Sequence, residues 1–302
     1  SGSTGTPKPM QVEKERMMAS ARLTCSFLGL KEGDSALLCM PLQYIAGKMV
    51  VVRSLVAGLK LIPIAPCGHP LKDLKEAPTF AAMIPMQVYN TIQEPEEREK
   101  LMGIKHLIIG GGAIDDALGK ALKDFPNHVW STYGMTETLS HIALRRLNGE
   151  NASDWYTPFD SVNIRLSEEG TLIIHAPNVC AEELTTNDIA EINEEGKFRI
   201  LGRKDNTINS GGVKIQIEQV EAALKAHLDI PFQITARKDA KFGEIVVLIY
   251  NKVKDEASVR QACEEALPTY WVPKAYIAVD ELPMTGTGKP DRATARRLAK
   301  GE

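Results

Sequence analysis

Up to about residue 134, short apolar runs alternate with longer segments whose apolar positions recur every three to four residues. EKERMMASARLTCSFLGL (13–30) reads as an amphipathic helix that stops near Gly29 and Gly33. ALLCM (36–40) has the length of a buried strand, IAGKMVVVRSLVAG closes as a helix at Gly58, and KLIPIA follows as another strand. The cycle repeats through FAAMI, PMQVYNTIQ, KHLIIGGG, DDALGKALKDF and HVWSTYG. Strands separated by helices of this length predict a mainly parallel sheet with helices on its faces.

After about residue 160 the period shortens to two. VNIRLSEEGTLIIHA and AEINEEGKFRILGR each read as a β-hairpin with a turn ending in Gly. From Asp205 onward come a helix (IEQVEAALKAHL), strands (FQITAR, EIVVLIY), a helix near VRQACEEAL and a strand (AYIAV). The expected fold class is therefore α/β. A large N-terminal domain, 1–204, has a helix-covered, mainly parallel sheet plus a β-hairpin region, and a small α+β C-terminal domain spans 205–302. The polar stretch GRKDN marks the boundary.

Composition narrows the function classes. The 302 residues carry a formal net charge of -3, with no basic block of the kind that tracks nucleic acid. No apolar run reaches the roughly 18 residues of a membrane span. The five cysteines lie far apart without a CxxC pair, which argues against zinc and disulfide frameworks and for a reducing, cytoplasmic setting.

Five stretches carry chemistry. In SGSTGTPK, the hydroxyls of Ser1, Ser3, Thr4 and Thr6, the exposed backbone at Gly2 and Gly5, and the charge of Lys8 suit a polyphosphate. The same composition also suits a flexible linker. GGGA, with Gly111, Gly112 and Ala113, follows an apolar run, at the strand end where open α/β sheets bind ligands, or else it is a plain strand-to-helix turn. In STYGMTET, Tyr133 offers a face to a base and Gly134 permits close approach. Thr136 can donate to a phosphate oxygen, and Glu137 can hold a hard cation such as Mg2+. Asp188 could accept from a ribose diol, with Arg203 beside it; solvated hairpin charges are the alternative. Lys289, in TGTGK, could bring a cation to a reacting phosphate or be an exposed turn residue.

Together and in this order these stretches, with LGRKD and SGGVKI, resemble the adenylate-forming superfamily of acyl- and aryl-CoA synthetases, firefly luciferase and nonribosomal peptide adenylation domains. The resemblance runs from Ser1 almost to the C-terminus. It implies that SGSTGTPK closes over ATP, and that GGGA, Tyr133 and Gly134 enclose adenine. Thr136 and Glu137 would serve the α-phosphate and Mg2+, and Asp188 and Arg203 the ribose. Lys289 would bridge the attacking carboxylate and the α-phosphate. It further implies a hinge at Asp205, about which a mobile C-terminal domain turns to present Gly211, Gly212 and Lys214 as the wall of a tunnel for coenzyme A. Family members commonly carry a segment before the phosphate loop, so the start of the N-terminal domain is expected to be incomplete.

Three stretches depart from the family pattern. PLQYIAG has Gln43 and Tyr44 where an aromatic residue followed by His is common, TTND replaces TGD, and DWYTPFDSVNI replaces a glycine-rich segment. TYGMTETLSHIALRRLNG resembles most the o-succinylbenzoate–CoA ligases of menaquinone biosynthesis. An aromatic keto-diacid needs a polar anchor away from its reacting carboxyl, for which Tyr44, Ser140, His141 and Arg145 are the candidates. The alternatives are another aryl- or acyl-CoA synthetase, a stand-alone adenylation enzyme that loads an acid onto a carrier protein, and a non-catalytic nucleotide-binding regulator. Self-association into a homodimer stays open.

Overall fold

In a computed structural model, residues 10–112, 114, 116–285 and 289–301 are described. Helix α1 (Lys14–Leu28) ends where Gly29 turns left-handed and donates to the carbonyls of Cys25 and Ser26. Its buried residues Ala21, Thr24, Cys25 and Leu28 follow the helical period that its sequence displays. Then come β1 (Ser35–Leu38), α2 (Ile45–Ala57), β2 (Lys60–Pro63), β3 (Phe80–Met83), α3 (Pro85–Gln93), α4 (Pro95–Gly103), β4 (His106–Ile109), α5 (Asp116–Leu122), β5 (His128–Gly134), β6 (His141–Arg146) and β7 (Thr157–Pro158). The strands form one sheet in the order β2-β1-β3-β4-β5-β6-β7. It is parallel through β5 and antiparallel at β6 and β7.

Alternation along the strands divides two cores between its faces. Ala36, Leu38, Phe80 and Ala82 point to one, with Cys25, Leu28 and Val50 of the first two helices. Leu37, Ala81, Met83, Leu107 and Ile109 point to the other, with Val88, Leu101 and Leu122 of later helices. Every residue of β3 and β4 is buried, as interior strands covered on both faces require. This is the helix-covered sheet that the sequence predicts.

The two expected hairpins form, β8 (Asn163–Leu166) with β9 (Thr171–His175) and β10 (Leu184–Ile192) with β11 (Phe198–Arg203). Pairing of β9 with β10 joins them into a four-stranded antiparallel sheet. Leu172, Ile174, Ala190 and Phe198 enter the first core, so this sheet is packed against the parallel one. A short 3-10 turn, Lys204–Asn206, leads out of β11.

The rest comprises β12 (Thr207–Ser210), β13 (Val213–Gln216), α6 (Ile217–Leu224), β14 (Phe232–Asp239), β15 (Gly243–Asn251), α7 (Glu256–Ala266), β16 (Ala275–Val279) and α8 (Arg292–Lys300). Its five strands share a sheet. Ile208, Ile215, Val220, Ile234, Leu248 and Val259 close a core of their own.

Two local features differ from the sequence reading. Residues 95–103 carry no helical apolar stripe, yet they form α4, started by Pro95 and anchored by Leu101, its buried apolar residue. SGGVKI, assigned above to no strand, is the β12–β13 hairpin. Gly211 and Gly212, at φ +58° and +85°, form its two-residue turn, a conformation that strains any residue with a Cβ. Among the described residues, no helix is long and apolar enough to cross a membrane.

Candidate active site

Gly111 and Gly112, and Tyr133, Gly134, Thr136 and Glu137, lie at or just after the carboxyl ends of β4 and β5, the edge at which an open α/β sheet binds ligands. Gly111 and Gly112 follow β4 and lie exposed against Ile84 and Pro85 at the end of β3. Tyr133 and Gly134 end β5. A Cβ on Gly134 would come within 2.3 Å of the Ser140 carbonyl oxygen and 2.5 Å of the His141 Cα, so only glycine lets β6 return this closely.

Between Gly134 and Ser140 the chain is held in a tight turn by Thr138, which is fully buried. Its Oγ1 accepts from the Met135 N–H at 3.0 Å and lies 2.7 Å from the Ser140 carbonyl, to which it donates. Leu139 takes φ +65°, the one non-glycine residue with positive φ among those described. The turn leaves Thr136 and Glu137 half-buried at its tip. Among the described residues Glu137 forms no ion pair and belongs to no cluster of three or more metal-ligating side chains, so a single carboxylate stands at the strand end. That donor chemistry fits a hard cation such as Mg2+.

Asp188 and Arg203 are cross-strand partners on β10 and β11. The Tyr133 phenol donates to Asp188 Oδ2 at 2.6 Å, and Arg203 Nη1 donates to Asp188 Oδ1 at 3.2 Å. Arg203 also makes a two-pronged contact with Asp205, from Nε and Nη2, each at 2.8 Å. Burial, then the charge of Asp188, pushes the Tyr133 phenol pKa up, so Tyr133 remains a donor. The hydrogen bond from Arg203 holds the Asp205 carboxyl below its ordinary range. Although Lys289 as a residue is exposed, desolvation of its amine, followed by the charge of Arg203, lowers its pKa. One guanidinium is thus shared among the ribose candidate, the hinge candidate and the field felt by the lysine. Lys214 is exposed on β13, where its charge contributes, after Lys204, to lowering the pKa of Glu169.

Ser140 and His141 lie together in a buried polar group centred on a residue that sequence reasoning missed. Arg53 of α2 is 2% exposed and donates from Nη2 to Ser140 Oγ. Among the described residues its Nε has no partner, and no carboxylate pairs with it. Burial pushes its pKa down to about 10. His141 Nδ1 lies 3.2 Å from Ser140 Oγ and Nε2 lies 3.0 Å from Thr24 Oγ1. Burial and the Arg53 charge hold its pKa well below 6.5, so the ring is neutral. The other two acid-pocket candidates lie elsewhere. Tyr44 is exposed at the start of α2, and Arg145 pairs with Asp154 at 3.0 Å and lies over the Tyr156 ring. The only sequence signal for Arg53 was an arginine inside an apolar helical stripe. Ser1, Gly2, Ser3, Thr4, Gly5, Thr6, Lys8 and Ala113 lie outside the described residues.

The pattern of the AMP-binding enzyme family matches residues 1–179, and that of the AMP-binding enzyme C-terminal domain matches 219–289. The 2-succinylbenzoate–CoA ligase of Bacillus mycoides is 26% identical over 99% of this chain and 69% of its own length. The crystal structure of an acyl-CoA synthetase (AMP-forming)/AMP-acid ligase II-like protein from Dyadobacter fermentans is 33% identical, covers 97% of this chain and 86% of that one, and has a TM-score of 0.65. The o-succinylbenzoate CoA synthetase of Bacillus subtilis, in complex with its acyl-adenylate intermediate, shares the fold at TM-score 0.81 and 23% identity, over 98% of this chain and 67% of that one. With the family pattern spanning more than half of its residues and a one-third-identical structure matched along nearly all of it, the chain belongs to the AMP-binding enzyme family.

Proposed function

We propose that the protein is an AMP-forming acid–CoA ligase that activates o-succinylbenzoate through an acyl-adenylate. The observation that carries the choice of acid is Arg53, a buried guanidinium beside Ser140 and His141 that has no carboxylate partner among the described residues. A buried lone cation is costly, and a substrate's second carboxylate would offset that cost. The relative from Bacillus mycoides, named for 2-succinylbenzoate, supports the same reading.

In the first half-reaction the substrate carboxylate attacks the α-phosphorus of ATP and pyrophosphate leaves. Two anions must approach in line, so the task is largely electrostatic. Lys289 supplies positive charge to both, Thr136 donates to the α-phosphate, and Asp188, held by Tyr133 and Arg203, accepts from the ribose. Glu137 would hold Mg2+, whose charge offsets that of the phosphates. In the second half-reaction the thiol of coenzyme A attacks the acyl carbonyl and AMP leaves. Residues 205–302 act as a lid that turns at Asp205, exchanging Lys289 for the Gly211–Gly212 turn and Lys214.

ATP–pyrophosphate exchange with a panel of acids tests this, followed by acceptance of CoA or a carrier protein. Exchange with o-succinylbenzoate and transfer to CoA are expected. Exchange only with monocarboxylic acids would overturn the choice of substrate, and transfer only to a carrier would overturn the ligase reading.

A further inference from the structure

Lys289 follows Thr285 by four residues, and the two are bonded directly. The Thr285 N–H donates to the Lys289 carbonyl at 2.7 Å, and the Lys289 N–H donates to Thr285 Oγ1 at 3.1 Å. One residue further out, Met284 and Pro290 form a β-bridge, and beyond it the Asp291 N–H donates to the Pro283 carbonyl at 2.9 Å. The two legs, 283–285 and 289–291, are therefore zipped together, and Lys289 begins the second.

Both legs are mounted on neighbouring residues of β14. Gln233, 2% exposed, donates to the Pro283 carbonyl at 2.9 Å. Arg292 donates to the Ile234 carbonyl at 3.0 Å and grips both carboxylate oxygens of Glu221 on α6, at 2.6 and 2.7 Å. A two-pronged contact of this kind fixes direction as well as distance.

We infer that Thr285 is a positioning residue for Lys289, a reading that rests on the role proposed above for that lysine. A lysine stem has four rotatable bonds, so the amine can be aimed only if the backbone from which it springs is fixed. The Thr285 hydroxyl fixes that backbone at the Lys289 N–H, while Gln233 and Arg292 fix the legs to the sheet.

The test compares Thr285→Val, which keeps shape and loses the acceptor, with Thr285→Ser, which keeps the acceptor. Acid-dependent ATP–pyrophosphate exchange should fall about 10- to 100-fold in Thr285→Val, the scale of a misplaced catalytic group, and recover in Thr285→Ser. CoA-dependent consumption of preformed acyl-adenylate and the Tm should be unchanged in both. Unimpaired exchange in Thr285→Val, or an equal loss in both half-reactions with a lowered Tm, would overturn the inference. A wild-type protein that supports no exchange with any acid would overturn the proposed function along with it.

Discussion

The phenol of Tyr133, at the end of a strand in the parallel sheet, donates a 2.6 Å hydrogen bond to the carboxylate of Asp188 in the antiparallel one. The bond fixes the acid that is proposed to meet the ribose, and it gives Tyr133 a second task beside presenting its ring. Tyr133→Phe keeps the ring and loses the donor. It should weaken ATP binding by about 1.5 kcal/mol, roughly tenfold, the lower end for a hydrogen bond to a charged group. The ATP KM in pyrophosphate exchange measures it.

Arg53→Met should separate stability from substrate use. Met has a similar volume and no charge to desolvate, so the Tm should hold or rise, corresponding to a gain of up to a few kcal/mol. The KM for o-succinylbenzoate should rise roughly 10- to 100-fold, while benzoate, which has no second carboxylate, is unaffected. Thermal unfolding and exchange kinetics on the two acids give both readouts.

Asp205→Pro fixes φ where the lid is proposed to turn, and Asp205→Ala removes only the two hydrogen bonds from Arg203. The proline variant should slow the CoA-dependent half-reaction more than adenylation, and the alanine variant should show a smaller imbalance. The two half-reactions, assayed separately, supply the ratio. Equal losses in the proline variant would count against a lid that changes position.

His106 begins β4 and is 8% exposed, with no hydrogen-bond partner at either ring nitrogen among the described residues. Burial, reinforced by the neighbouring His128 and Lys105, pushes its pKa down to about 4. The folded protein therefore disfavours the proton that the unfolded chain accepts near pH 6.5. The stability tied to the neutral ring is complete above that pH. It declines as pH falls toward 4, by roughly 3 kcal/mol if His106 acts alone. His106→Leu should flatten the fall in Tm between pH 6.5 and 4.

Much of this was legible in the sequence because local rules and tertiary packing agree. Gly29 and Gly58 stop helices where the apolar period ends, and the strand ends carry the glycine and tyrosine that the site uses. Arg53 was not legible, since an arginine in an apolar helix more often extends its stem toward water. Its burial depends on β6 returning beside α2, which periodicity does not encode. Nor could the Tyr133–Asp188 bond be read, because residues 55 positions apart meet only through the packing of two sheets.

The apolar cores on either side of the polar stretch 202–206 share no residue. Ile200 packs with the first two sheets and Ile208 with the third. Arg53, Ser140 and His141 belong to the first side, whereas Lys289 and the residues that seat it, Gln233, Glu221, Thr285 and Arg292, belong to the other. On the roles proposed above, acid preference and the aim of the lysine are therefore separately heritable. Mutation or recombination on one side can retune the substrate while the other passes on its chemistry intact, and a crossover at 202–206 cuts through neither apolar core.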